Sequence, residues 1–86
     1  MGGTKEAVLY GIFLKFTDEQ KLQKLWRDGR NLPLTGTEWD FDAMDMFYLF
    51  LEIEQAFNIT IRGRKLENYA FNTVTGILKI LTSEGF

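Results

Sequence analysis

The chain reads as an all-α protein, a small bundle of helices around one core. Three observations predict it. Apolar residues recur at spacings of three and four along residues 4–16, 17–28, 42–57 and 74–81, which gathers them on one face of a helix. Residues that favour helix starts precede the later runs: Thr17, Asp42, and Asn72 or Thr73. The only proline, Pro33, falls with Gly36 in a single stretch, residues 29–41, between helical patterns.

The first element covers residues 4–16. Val8, Leu9, Ile12, Phe13 and Phe16 form its apolar stripe. Gly11 weakens this helix by about 1 kcal/mol relative to Ala, or admits close packing. Thr17 and Gln20 make a capping-box pattern that opens a second stretch. Leu22, Leu25 and Trp26 share one side of it, and Gly29 after Asp28 ends it. Residues 29–41 are a loop holding Leu32, Leu34, Trp39 and Phe41. Four large apolar side chains predict a loop packed onto the core.

Asp42 caps the third helix, and Asp45 lies in its first turn, near the positive helix end. Met46, Phe50, Ile53 and Phe57 set its core face, with Leu49 beside them. Asn58 to Ile61 is a short extended exit. Arg62, Gly63 and Arg64 form a basic turn, extended by Lys65, and residues 65–70 read as one short helical turn. Asn72 or Thr73 caps a last helix carrying Val74, Ile77, Leu78 and Leu81.

Length and composition bound the function. Eighty-six residues make one domain, residues 1–86, with one core. The chain has no cysteine and no histidine. That removes thiolate metal sites, disulfides, the cysteine nucleophile and the commonest general base. No glycine motif cradles phosphate, so an enzyme is not expected. Asp40, Asp42 and Asp45 lack the glycine and closing glutamate of a calcium loop. The start shows neither a signal peptide nor a myristoylation pattern, and no apolar run approaches a membrane span. A cytoplasmic location fits the missing cysteines. The net charge of −2 is unevenly spread: all ten Lys and Arg lie outside residues 31–61. That stretch holds Glu38, Asp40, Asp42, Asp45, Glu52 and Glu54. An anionic surface there repels nucleic acid and attracts a basic partner.

Residues 42–57 carry one more signal. Asp42, Ala43, Met44 and Asp45 resemble the Asp-Ser-Leu-Asp turn of acyl and peptidyl carrier proteins. Glu52 to Phe57 resembles that family's Leu-Glu-x-x-Phe helix end, and Asn58 to Ile61 its short apolar segment. Thr73 and Val74 resemble the Thr-Val that opens its last helix. The likeness runs from about Leu34 to Leu81. It implies a carrier-protein-like bundle of three main helices plus a short helix. The stretch at 17–28 is an extra helical piece beyond the family's pattern. The family's serine bears a 4′-phosphopantetheine arm, and its position corresponds to Ala43. Asp42 and Asp45 match its flanking acids, Glu54 a docking acid, and Met44 an apolar residue that enters partner grooves. Tyr48 stands where an acid is usual.

Opposite the core face, Met44, Tyr48, Leu51 and Gln55 form a second stripe. It is read either as further packing, Leu51 against the second stretch, or as a partner-binding surface. Two accounts of Ala43 stand open. The chain is a non-catalytic, monomeric docking module for the basic, apolar groove of a biosynthetic or peptide-maturation enzyme, and carries no cofactor. Alternatively, Ala43 was introduced in place of the attachment serine of a genuine carrier, whose cofactor would be 4′-phosphopantetheine. Thr35, Thr37 and Ser83 are poorly placed to take the arm instead.

Overall fold

The computed structural model describes residues 4–60 and 70–86. The described residues are all-helical: α1 (Thr4–Phe13), α2 (Glu19–Asp28), α3 (Ala43–Phe57), a 3-10 turn (Ala70–Asn72) and α4 (Val74–Ser83). Helices α1, α3 and α4 are the main ones, and α2 is the extra stretch. The basic residues Arg62, Arg64 and Lys65 lie outside the described residues, as does the short turn expected at 65–70 except for Ala70.

Helix α1 ends at Phe13, three residues before its pattern does. Lys15 and Phe16 donate their N–H groups to the carbonyls of Ile12 and Phe13, at 3.0 and 2.9 Å. This tighter winding closes the helix as a 3-10 turn. The buried stripe is therefore Leu9, Ile12 and Phe13, while Val8 falls on the exposed side. Phe16 still reaches the core, because the turn swings its ring to 5.8 Å from Phe41. Gly11 faces open space, with nothing within 4 Å of a built Cβ. Its absent side chain serves no close packing.

The start of α2 is also shifted by one residue. Asp18, rather than Thr17, is the cap, its carboxylate accepting the Lys21 N–H at 2.8 Å. An ionised cap satisfies the free N–H and complements the helix dipole, which a threonine hydroxyl does less well. Leu22 and Leu25 are buried, and Trp26 is half-buried. The rings of Tyr10 and Phe13 stand edge-on to Trp26 at 5.4 and 5.6 Å, fastening α2 to α1. Gly29 is the residue at which α2 ends, and a Cβ there would meet Leu25 Cδ2 at 2.9 Å and the Leu25 carbonyl at 3.2 Å.

The loop at 29–41 is packed inward as its side chains predict. Leu34, Trp39 and Phe41 are buried and Leu32 is half-buried. The Trp39 indole donates to the Gly29 carbonyl at 2.9 Å and stands edge-on to Phe13 at 5.3 Å. Phe41 N–H donates to Leu34 O at 2.9 Å and closes the loop. Asp40 holds φ 58 within it, a left-handed conformation that aspartate tolerates better than most residues.

Helix α3 packs on α1, and α1 also packs on α4. The core line of α3 is Leu49, Ile53 and Phe57. Met46 and Phe50, expected at its centre, are half-buried at its edge. At about 100° per residue, Ile53 lies midway between Leu49 and Phe57; Met46 shares that face but lies near the helix start, and Phe50 stands past Phe57 to one side. Asn58 ends the helix with φ 52, a common left-handed stop. Thr73 caps α4, its hydroxyl accepting the Gly76 N–H at 2.9 Å. Asn72 ties the loop instead: its backbone carbonyl accepts Leu34 N–H at 2.7 Å. Along α4, Val74, Ile77, Ile80 and Leu81 are buried, with Ile80 taking the place expected of Leu78.

Since Gly11 fills no contact, Gly11→Ala should raise stability by about 0.5–1 kcal/mol through helix propensity alone. Urea unfolding followed by circular dichroism measures it; an unchanged or lowered midpoint contradicts the open-space reading.

Candidate functional site

The first turn of α3 is fixed by two aspartates. Asp42 accepts the Asp45 N–H through Oδ1 at 2.8 Å, and Asp45 accepts the Asp42 N–H through Oδ2 at 3.2 Å. This reciprocal box satisfies two N–H groups that a helix start leaves free. It goes further than the single cap the sequence predicts. Between the two acids Ala43 is the first helical residue, and it is exposed.

Beyond that turn the solvent side of α3 is apolar. Met44 is 57% exposed, Phe47 56% and Tyr48 50%. Gln55 is exposed and Leu51 half-buried. The second stripe read from the sequence is thus outward at Met44 and Tyr48, with Leu51 half-buried on the same face. Phe47 belongs to the same face, its ring 5.8 Å from that of Tyr48. Sequence spacing missed it. With Phe47, Tyr48, Leu49, Phe50 and Leu51 in succession, periodicity alone does not tell a surface phenylalanine from a core one.

The acids flank this face. Helical rotation places Asp45 and Glu52 on the α1 side, where Lys15 pairs with Glu52 at 2.6 Å. Glu54, half-buried, falls on the other side, one turn beyond Phe50. No Lys or Arg occurs between Asn31 and Thr60.

On the Glu54 side lies a groove of about 600 Å³. Ala43, Met46, Phe47 and Phe50 line it from α3, and Phe71 from the 3-10 turn. The Phe50 and Phe71 rings meet at 5.4 Å. Thr35 and Asn72 form its polar edge. Their contact is internal: Asn72 Nδ2 donates to Thr35 Oγ1 at 3.2 Å, and Thr35 N–H donates to Asn72 Oδ1 at 3.3 Å. Thr35 and Ala43 thus line the same groove.

The residues present do not fit a phosphopantetheine arm, because the Ala43 methyl has no oxygen to form the phosphodiester. Among the described residues, no three acidic side chains gather to hold a metal ion. No described helix is long and apolar enough to cross a membrane. No family model, curated protein or solved structure significantly matches the chain.

Asp42→Ala removes the cap and should lower stability by about 1 kcal/mol. Asp45→Ala should lose less, since its bond is longer and a helical alanine partly offsets it. Thermal unfolding of both variants checks the order, and equal losses would contradict it.

Proposed function

We propose that the chain is a non-catalytic docking module, resembling an acyl carrier protein, that serves a biosynthetic or peptide-maturation enzyme. One observation carries this reading: three large apolar side chains, each at least half exposed, occupy the outer face of α3 between acidic flanks. An exposed apolar patch with a charged rim is a usual mark of a protein-binding surface. Met and Tyr suit such surfaces, through flexibility and an amphipathic ring. Met44 and Tyr48 are the anchors, Phe47 extends them, and Leu51 borders them. Asp42, Asp45 and Glu54 supply the anionic rim. The partner is then a groove both basic and apolar. Rim charges steer encounter and suppress wrong partners more than they add affinity.

A second reading has its own support. Ala43 is exposed, first in its helix and flanked by the acid box. A serine there would offer its hydroxyl to solvent at the place where the carrier family bears its arm. On that account the chain is a genuine carrier whose attachment serine has been replaced.

The docking reading is tested by binding between the chain and the enzymes of its gene neighbourhood, measured at several salt concentrations. Reversing Asp45 and Glu54 together, D45K/E54K, should weaken binding about tenfold or more and flatten its dependence on salt. Unchanged affinity in the folded double variant defeats the reading. The two readings separate by intact mass. Each of the wild type and Ala43→Ser is incubated with coenzyme A and a promiscuous phosphopantetheinyl transferase. A mass gain by Ala43→Ser alone supports the carrier account; no gain by either leaves docking without cargo as the function.

A further inference from the structure

One exposed surface runs across two helices. Met44, Tyr48 and Glu52 follow one another four residues apart, so they line a single edge of α3. Glu52 holds Lys15, just past the end of α1, at 2.6 Å. Leu14 precedes Lys15 in the chain, and Val8, about two turns earlier, shares the Lys15 edge of the helix. Met44 is 57% exposed, Tyr48 50%, Leu14 41% and Val8 38%. The surface is thus an apolar patch on α3, an ion pair, and an apolar patch on α1.

We infer that this surface is a self-complementary interface, on which a second copy of the chain docks about a two-fold axis. The axis passes beside the Lys15–Glu52 pair. It lays Val8 and Leu14 of each copy on Met44 and Tyr48 of the other, so every contact is made twice. It also brings the two ion pairs together with their charges alternating. Each lysine then meets the glutamate of the other copy as well as its own.

Charge complementarity selects this occupant. The centre of the surface holds one charge of each sign, so it does not repel its own kind. The pair is open to sharing: its side chains are 62% and 33% exposed, and a pair in that setting contributes little by itself. Covering it with a second pair removes water and strengthens all the attractions among the four groups. A purely basic or purely acidic partner would meet the wrong sign at one half of the pair. Packing α3 on α3 would leave Val8 and Leu14 uncovered.

The area bounds the strength. A stable interface takes about 800 Å² from each partner, and a few side chains already partly covered supply less. The dimer is therefore weak and exchanges with the free chain. The inference needs no partner enzyme and goes beyond the docking reading. It bears on that reading because the dimer covers Met44 and Tyr48: a chain paired with its own kind presents no docking face.

Sedimentation equilibrium of the intact chain tests this, from about 10 µM to about 1 mM, a range that reaches weak interfaces. The mass should rise from one chain toward two and go no further. Lys15→Glu and Glu52→Lys each gather like charges at the axis, and each should weaken the dimer at least about tenfold. Mixed in equal amounts, these two variants should pair again, because each copy offers the charge the other lacks. A pair that acted only inside one chain would not be restored by mixing. Val8→Asp and Tyr48→Asp lie on opposite halves of the surface, and each should also weaken the dimer about tenfold. Val8, Lys15 and Tyr48 are exposed and Glu52 half-buried, so circular dichroism should show the helices intact in every variant; if one unfolds, the others still decide. A wild type that stays monomeric at about 1 mM overturns the inference and leaves the face to an enzyme. A dimer that Val8→Asp leaves unchanged, or charge variants that fail to pair when mixed, overturns it as well. Growth beyond two chains overturns the two-fold axis. The D45K/E54K result with the enzyme partner judges the docking face separately.

Discussion

The placement of α3 depends on the indole of Trp39. Its N–H reaches the Gly29 carbonyl at 2.9 Å, in a site where Trp39 is only 1% exposed. The Gly29 carbonyl, just past the end of α2, accepts the Leu32 N–H at 3.1 Å as well as the indole. A buried indole N–H is costly unless paired, so this bond satisfies it and ties residue 39 back to residue 29. Phe13 stands edge-on to the same ring, which adds α1 to the junction. The geometry explains why Gly29 has no side chain, since a Cβ would press on Leu25 and Leu32. It also sets where the loop must end. Phe41 N–H returns to Leu34, Asp40 takes a left-handed turn, and Asp42 emerges in position to cap α3. Hence the acid box, Ala43 and the groove all inherit their position from a junction more than ten residues upstream of the groove's last α3 residue.

The second tie acts from the other end of the chain. Leu34 N–H bonds to the Asn72 carbonyl, while the Asn72 side chain holds Thr35. The Thr75 N–H, in the first turn of α4, donates to Arg30 O at 3.1 Å. So the loop is hydrogen-bonded to the segment that starts α4, and Phe71 is carried to Phe50. The groove exists because these ties hold Phe71 across from α3 without filling the space between Ala43 and Phe47.

What the sequence made legible follows from range. Local signals were sufficient for the helices, the packed loop, the Asp42 cap and the outward direction of Met44 and Tyr48. The cap of α2 was misplaced by one residue because Thr17 and Asp18 are both good caps, and only the winding after Phe13 chooses between them. The spacing puts Met46 and Phe50 in the core, but Met46 lies in the first turn, a turn before Leu49, and Phe50 stands at the edge of the face, so both are half-buried. Helix α3 is apolar on much of its circumference, so its pattern indicates the buried side while its packing on α1 sets the rotation within it. The groove was invisible to sequence, since it joins residues from 35 to 72 through contacts that no local window contains.

That apolar circumference is itself an argument about function. Fully burying a large apolar side chain is worth about 1.5–3 kcal/mol, and α3 forgoes about half of that at each of Met44, Phe47 and Tyr48. A helix free of other demands would place polar residues there. An uncovered patch of this kind also invites association between copies. Here the acids on its flanks oppose pairing of α3 on α3, because two copies meeting that way would bring Asp45 and Glu54 against like charges. On the docking reading proposed above, the same charges would favour a cationic surface: the apolar centre would supply the attraction, and the rim would decide which surfaces approach closely enough to use it.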